Sequence, residues 1–466
     1  MSVYSVTQEP NVLVGTGQPI IFTAFDTETA NIYPNGDADV WKFRYICDIY
    51  IDTGSGSTKV ARLKQLPNAE NVGIFDISRI VNSFLYPTLV NQGITTNSIH
   101  TLPLGDLGDP FSLNDSSLET VICKFGEEFA TTATGSPTVH ADRHTETARY
   151  AFQASVPYNA GVNYAFGDFI SNGTTKRFLT YMPDYSIQGQ TIKVSNNEWR
   201  TMTFLNDSAT CQINRLYVQI FNSSGVKLNS NDYFENLTAN GGANPSSEVD
   251  TDPERLLFVG VGVKNLNIQT LVSDMQISGH ATAAYYEVFG TNASDTQKTT
   301  KYRFELDGND CKYPMKQFAW LNRLGGWDYF SFKKKDVKTL NIKRTKMKEP
   351  LGTFNAATYA ENSFDRGSKT LKADAVYSES ANTDYLSEIQ AEWLEGLFTS
   401  NNVYLIDTEQ DIYTQATGTT ISADAPNVIP VVITSATFVK KTSVNDQCKI
   451  QYTMEYEYSK EQRVGI

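Results

Sequence analysis

The stretch FAWLNRLGGWDYFSFKKKDVKTLNIKRTKMK, Phe318 to Lys348, decides how this chain is read. Phe318, Trp320, Trp327, Tyr329, Phe330 and Phe332 flank residues 322–326. The pair Gly325 and Gly326 between two aromatic runs predicts a β-hairpin, because only glycine enters positive φ at little cost. Directly after it come Lys333, Lys334, Lys335, Lys338, Lys343, Arg344, Lys346 and Lys348, opposed by Asp336 alone. Segment 333–348 therefore carries +7 in a chain of net charge −13, which leaves −20 on the remainder. This basic seam has two readings. It docks onto the acidic face of a neighbouring copy, since complementary charge fixes orientation and speeds encounter, or it is a wet edge strand whose lysines block unwanted sheet pairing. Stacking of Trp320, Trp327 and Tyr329 on nucleic-acid bases is a weaker third reading, because hairpin aromatics usually fill cores.

Working outward, 466 residues exceed one ordinary core and imply about three domains. High Tyr, Phe, Thr, Ser and Asn with few long amphipathic stretches favours strands, whose pleated surface accommodates aromatic and β-branched side chains. The expected fold is mainly β and multidomain, with β-sandwich-like N-terminal and middle domains and a smaller α+β C-terminal domain. The expected boundaries are 1–132, a linker at 133–149, 150–298, and 299–466, the last holding the hairpin and the seam.

Strands are expected over Pro19–Asp26, Val40–Asp52, Thr58–Leu66 and Thr120–Phe129. Ile77, Ile80, Val81, Phe84 and Leu85 share a helical face, which predicts a helix over Asp76–Tyr86 with Asp76 as its cap and Pro87 ending it. In the middle region strands are expected at Tyr150–Val156, Arg177–Tyr181, Gln190–Val194, Arg200–Phe204, Leu216–Phe221, Arg255–Val263 and Ala283–Phe289, with an exposed loop over Ala239–Asp252. Beyond the seam, a polar segment runs to about Asn382. A second helix is expected over Tyr385–Phe398 behind an Asp384 cap, then strands Val428–Lys440 and Cys448–Tyr458. In the last of these, strict period-two alternation predicts one buried and one wet face.

Several classes are disfavoured. The five cysteines, Cys47, Cys123, Cys211, Cys311 and Cys448, are odd in number, far apart and without a C-x-x-C pair. They read as buried thiols rather than a disulfide framework or a zinc site. Met1 to Pro10 lacks the basic start and apolar run of a secretory signal. No apolar window reaches the length of a membrane span, and net negative charge argues against wrapping nucleic acid. His140 and His144 stand i, i+4, yet Ala141 replaces the glutamate of a zinc-protease helix, so they read as loop histidines. Glu248, Asp250, Asp252 and Glu254 make an acidic loop interrupted by Pro253, off the pattern of a calcium-binding loop. Gly260-Val261-Gly262 lies in an apolar strand and reads as a twist or bulge, not a dinucleotide loop. Adjacent Glu127 and Glu128 on one strand point to opposite faces and cannot cooperate as acid and base. No catalytic, cofactor-binding or metal-ligating residues are assigned. The sequons at Asn114, Asn172, Asn206, Asn222, Asn236 and Asn292 are what an Asn/Ser/Thr-rich chain produces by chance.

The blocks KYRFELDGNDCKYPMKQFAWLNRLGGWDYFSFKKK (Lys301–Lys335), EIQAEWLEGLFTSNNVYLI (Glu388–Ile406), IPVVITSATFVKKTSVNDQCKIQYTMEYEYSKEQR (Ile429–Arg463) and ARLKQLPNAENVGIFDISRIVNSFL (Ala61–Leu85) resemble virion structural proteins of tailed bacteriophages and prophages, especially those of Bacteroidetes hosts. The WLNRLGGWDYF block is the most specific. The C-terminal order of helix, apolar strand and Tyr-rich amphipathic strand is similar to tail-tip, distal-tail and baseplate components. That resemblance implies a non-enzymatic subunit, located in the virion tail and present in the host cytoplasm during assembly. Its implied partners are copies of itself in a ring and neighbouring tail proteins. An alternative is a receptor- or glycan-binding adhesin whose middle sandwich presents Tyr181, Tyr185, Tyr233 or Phe234 to a host surface sugar.

Overall fold

The structure, a computed structural model, describes the chain apart from residues 1–3, 27–39, 53–55, 87–97, 102–110, 114–116, 140–143, 156–163, 165, 170–175, 208–212, 214, 230–231, 236–253, 269–278, 293, 308–312, 354, 408–426, 436, 442–449, 460–461 and 464–466. The fold is mainly β and multidomain, with five sheets and short helices among the described residues. Two compact units emerge. Unit 1 comprises Met1–Gly308 with Leu321–Asp328, and unit 2 comprises Asn309–Trp320 with Tyr329–Ile466.

Unit 1 begins as two facing sheets. One orders β1 (Tyr4–Gln8), β3 (Ile21–Asp26) and β6 (Val72–Asp76). The other orders β2 (Leu13–Gly15), β11 (Arg149–Phe152), β8 (Leu118–Ala130), β4 (Trp41–Asp52) and β5 (Ser57–Gln65), with β9 (Thr138–Val139) and β10 (His144–Thr145) also on β8. Alternation explains the pairing of faces. Phe22, Ala24 and Phe75 from the first sheet bury against Tyr45, Cys47, Ile49, Val121, Cys123 and Phe125 from the second. Phe125 meets Phe22 and Phe75 at centroid distances of 5.3 and 5.8 Å. Cys47 and Cys123 are buried thiols, and the hydrogen bond with Cys123, then burial, push the Cys47 pKa up. Cys211, Cys311 and Cys448 lie outside the described residues. Segment 133–149, expected as a linker, instead carries β9, β10 and the start of β11, all laid along β8.

The first helix, α1 (Ser78–Asn82), is shorter than the predicted span. Asp76 precedes it, accepting from the Ser78 amide at 3.0 Å and the Ile20 amide at 3.2 Å. Ile77, Val81 and Leu85 still reach the core, but Phe84 is exposed. Spacing alone overstated the helix because the buried positions continue in irregular backbone beyond it.

A second pair of sheets completes unit 1. One orders β12 (Thr191–Val194), β18 (Tyr302–Leu306), β17 (Tyr285–Thr291), β14 (Arg215–Phe221) and β15 (Tyr233–Glu235). The other orders β13 (Thr201–Asp207), β16 (Glu254–Gly260) and β7 (Phe111–Leu113). Thus β7, from the N-terminal third of the chain, pairs with β16 of the middle region. Arg177–Tyr181, expected as a strand, is irregular, although Phe178 and Leu179 are fully buried. β16 ends at Gly260, so Gly262 sits in a turn, its amide donating to the Arg200 carbonyl and to Asn265 Oδ1 at 3.1 Å each.

Unit 2 is built on one sheet ordered β20 (Trp327–Phe332), β19 (Lys316–Leu321), β23 (Val403–Asp407), β24 (Asn427–Ile433), β25 (Thr453–Tyr458), β22 (Ser368–Asn382) and β21 (Val337–Lys348), with β26 (Gln462–Arg463) beside β22. The polar segment before Asn382 is therefore a strand of 15 residues. Helix α2 (Glu388–Thr399) starts later than predicted, capped by Ser387 rather than Asp384, in a capping box with Gln390. Trp393, Leu394 and Leu397 form its buried face. Of the two closing strands, β24 ends at Ile433, and the regular part of the last begins at Thr453. The alternation in that last run holds, with Ile450, Tyr452, Met454 and Tyr456 buried and Thr453 and Glu455 exposed.

Candidate functional site

The hairpin forms where the glycines predict it. Asn322 organises the turn, its Oδ1 accepting from the amides of Leu324 at 2.9 Å and Gly326 at 3.2 Å. Gly325 takes φ +82°, and a Cβ there would lie 2.8 Å from the Gln153 carbonyl oxygen and the Phe152 ring. Gly326 has no room for a Cβ against the Leu179 backbone. The tip, residues 321–328, is part of unit 1. There Asn322 Nδ2 donates to the Leu179 carbonyl at 2.9 Å, and the Trp327 amide donates to Thr203 Oγ1 at 3.3 Å. Asp328 accepts from the Thr180 hydroxyl and, at 3.3 Å, from the Tyr181 amide. His100 packs edge-on against Trp327 at 4.5 Å, and burial drives its pKa down to about 3. The remaining hairpin aromatics, Phe318, Trp320, Tyr329 and Phe332, are core of unit 2. Phe318 meets Tyr456 at 4.9 Å and Trp320 meets Trp393 at 5.5 Å. None of these rings is available for stacking on bases.

The basic seam divides into a tied root and a free distal part. At the root, Glu379 is 3% exposed and accepts from Tyr456 Oη at 2.5 Å and Tyr458 Oη at 2.9 Å. Lys338 Nζ stands 3.3 Å and Lys316 Nζ 4.0 Å from the same carboxylate. Burial, then the Glu379 charge, raises the Tyr456 pKa far above the ordinary phenol range. Lys334 pairs with Asp384 at 3.3 Å, and the Lys335 carbonyl accepts from Asn382 Nδ2 at 2.6 Å. Lys333 is half-buried.

The distal part is a two-stranded arm. β21 pairs along its whole length with β22, whereas among the described residues β22 meets β25 only over Ser378–Asn382 and β26 at Asp374 and Ala375. At about 3.3 Å per residue, the six residues of β22 beyond that contact, 368–373, extend roughly 20 Å. All but one of the residues of β21 are exposed, so both of its faces are wet. Among the described residues β21 is an edge strand, hydrogen-bonded on one side. No ion pair among the described residues engages Lys343, Arg344, Lys346 or Lys348, although Lys372 pairs with Asp374 at 2.8 Å and Lys369 with Glu349 nearby. Leu340 and Ile342 are exposed along the arm, and a register shift sets Leu371 apart as a bulge opposite Thr345 and Lys346. The tip loop is tied internally, with the Thr353 amide donating to the Ala360 carbonyl at 2.9 Å and the Asn362 amide to Asp365 Oδ2 at 2.7 Å. It presents Tyr359 at 64% and Phe364 at 78% exposure.

The sequence reading located the lysines but missed the arm, because β22 alternates through Leu371, Ala373, Ala375 and Tyr377 with small residues that give a weak apolar signal. The rings considered for sugar binding do not form an open platform. Phe234 is buried, Arg303 lies 3.4 Å over Tyr185, and Arg215 lies 4.5 Å over Tyr233, while Tyr181 is exposed. His144 is exposed on β10 and bonds Glu146 at 2.6 Å. His140, Glu248, Asp250 and Asp252, with loop Ala239–Asp252, lie outside the described residues. Glu128 pairs with Lys64 at 2.7 Å. Among the described residues no group of three or more His, Cys, Asp or Glu side chains is placed to hold a metal ion, and no helix is long and apolar enough to cross a membrane. No protein-family model matches this chain, and no curated protein matches it.

Proposed function

We propose that this chain is a structural subunit of a tailed-phage virion, part of a tail-tip, distal-tail or baseplate ring, acting by assembly rather than by transforming a substrate. The observation that carries this reading is the β21–β22 arm. A two-stranded ribbon is marginal in water on its own. Ordering its backbone costs about 1–2 kcal/mol per residue, and the distal arm recovers little of that by burial within the chain. Cations without an ion pair among the described residues, exposed Leu340 and Ile342, and an aromatic tip are groups that a partner surface covers with gain. The root is braced by the buried Glu379 cluster, so the arm is held ready rather than left to find its direction on docking.

Mass spectrometry of purified particles tests the assignment. The chain should be recovered from particles in near-integral copy number with other tail components, and electron microscopy should place it at the tail end. Its absence from purified particles, with the free protein accumulating in lysate, sinks the reading.

A further inference from the structure

We infer that the outer edge of β21 takes up an extended acidic segment of another protein as an added strand, selected by charge. This rests on the reading of the arm as an assembly element and names the chemistry of its partner. An edge strand is a template for pairing, and proteins blunt it by shortness, proline, a bulge or charge. At 12 residues, β21 is the longest edge strand among the described residues. It holds no proline, and its register shift places the extra residue, Leu371, on β22. Charge is the guard that remains, as Lys338, Lys343, Arg344, Lys346 and Lys348 with no acid in the strand. A guard of one sign turns away neutral and basic strands and admits an acidic one.

The edge strand β5 shows the contrast. Its cations are engaged within the sheet, Lys59 and Arg62 by Asp48 at 2.8 and 2.5 Å and Lys64 by Glu128 at 2.7 Å. β5 also carries a bulge of its own, because the register with β4 skips Val60. On the arm, β22 sets one acid opposite the distal cations, Asp374 across from Lys343, and Lys372 holds it at 2.8 Å.

The order of side chains along β21 sets the sequence of its partner. Leu340, Ile342, Arg344, Lys346 and Lys348 stand at alternate positions and share a face, and Lys343 stands on the other. Directly opposed pairs interact most strongly across strands. The incoming strand therefore carries apolar residues opposite exposed Leu340 and Ile342, and acids opposite the four distal cations. Its backbone bonds the N–H and C=O groups along the outer edge, which supplies affinity while the side chains supply selection.

The test uses the full chain and a synthetic peptide, Glu-Thr-Glu-Thr-Glu-Glu-Val-Thr-Val, whose acids oppose Lys348, Lys346, Arg344 and Lys343 in antiparallel pairing. Fluorescence anisotropy of the labelled peptide should show saturable binding. Binding should weaken roughly tenfold or more at high salt and in the variant K343E/R344E/K346E/K348E. That variant, with the parental circular dichroism, should instead bind the peptide in which lysines replace the glutamates. Two further peptides carry N-methyl groups at alternate residues, one set along each edge. One set removes the hydrogen bonds to β21 and should abolish binding, and the other should leave it intact. Attraction by charge alone treats both sets alike, and this comparison needs no variant of the protein. Hydrogen exchange read by mass spectrometry should slow in β21 on binding and stay unchanged in β5. Three results overturn the inference: no saturable binding, an equal effect of the two N-methyl sets, or outward-pointing β21 amides already protected in the free chain. Salt-sensitive capture of duplex DNA, with the acidic peptide unbound, overturns it in favour of a phosphate-bearing partner. If the peptide binds and purified particles lack the chain, the virion assignment falls and the strand-accepting edge stands. If particles contain the chain and the peptide does not bind, this inference falls and the structural role stands.

Discussion

His100 is fully buried against Trp327 with its pKa lowered from 6.5 to about 3 by desolvation, so the folded state holds it neutral. The unfolded chain takes up a proton below pH 6.5 and the folded chain does not, so this residue withdraws stability as pH falls from about 6.5 toward about 3. The whole shift is worth at most roughly 5 kcal/mol. Urea unfolding at pH 7 and pH 4 should show a smaller acid loss in His100→Asn than in the parent. Asp48 acts in the same direction at lower pH. Its burial raises its pKa, but Arg62 at 2.5 Å and Lys59 at 2.8 Å outweigh that and hold it below the usual carboxylate range. Comparison with the variant removes that common background. At the hairpin, Asn322→Ala deletes two accepted bonds and one donated bond and should cost about 2–4 kcal/mol, read as a lower denaturation midpoint.

Four turns share one construction, and this is the pattern that the single residues conceal. Asn68, Asn222, Asn292 and Asn322 each accept, through the side-chain oxygen, from the amides two and four residues on. The residue three on, Asn71, Gly225, Asp295 or Gly325, takes positive φ in every case. A type I turn followed by a left-handed residue has the twist that joins antiparallel strands through a short loop. The sequons at Asn222 and Asn292, read from sequence as chance, are turn residues of this kind. Gly225→Ala isolates the backbone cost, since φ is +76° and a Cβ would meet only Tyr285 Oη at 3.8 Å. It should destabilise by about 1–2 kcal/mol with no lost contact, and Gly225→Asn by less. Equal stability of the alanine variant and the parent would contradict the shared construction.

At the scale of the molecule, the chain passes between its two units after Gly308, Trp320 and Asp328. Unit 1 therefore includes eight residues from far downstream, among them buried Leu324 and Trp327. A chain ending at Gly308 lacks them, leaving open the space around His100, Thr203 and the Leu179 backbone. We expect residues 1–308 to unfold at least about 3–5 kcal/mol more easily than residues 1–332, by analogy with removing a buried tryptophan. Denaturant unfolding followed by circular dichroism, with dye binding to report exposed apolar surface, makes the comparison. Matching midpoints would show that unit 1 does not use the tip.

Local chemistry made much of this legible in the sequence. Alternating aromatics and turn glycines yielded the mainly β class, the hairpin and the buried face of the last strand, because side-chain period and positive φ are properties of neighbouring residues. The Ser387 and Gln390 capping box was equally legible, though Asp384 drew attention from it. What tertiary structure alone decided is which strands pair and who shares a core. β7 joins β16, residues 321–328 join unit 1, and β22 runs out of the sheet with β21, by contacts between residues distant in sequence. Lys334 and Lys343 look alike in a charge run. One is paired and the other has no ion pair among the described residues, because partner strands and the buried carboxylate at the root lie near only the first part of the seam, and no local pattern carries that distance.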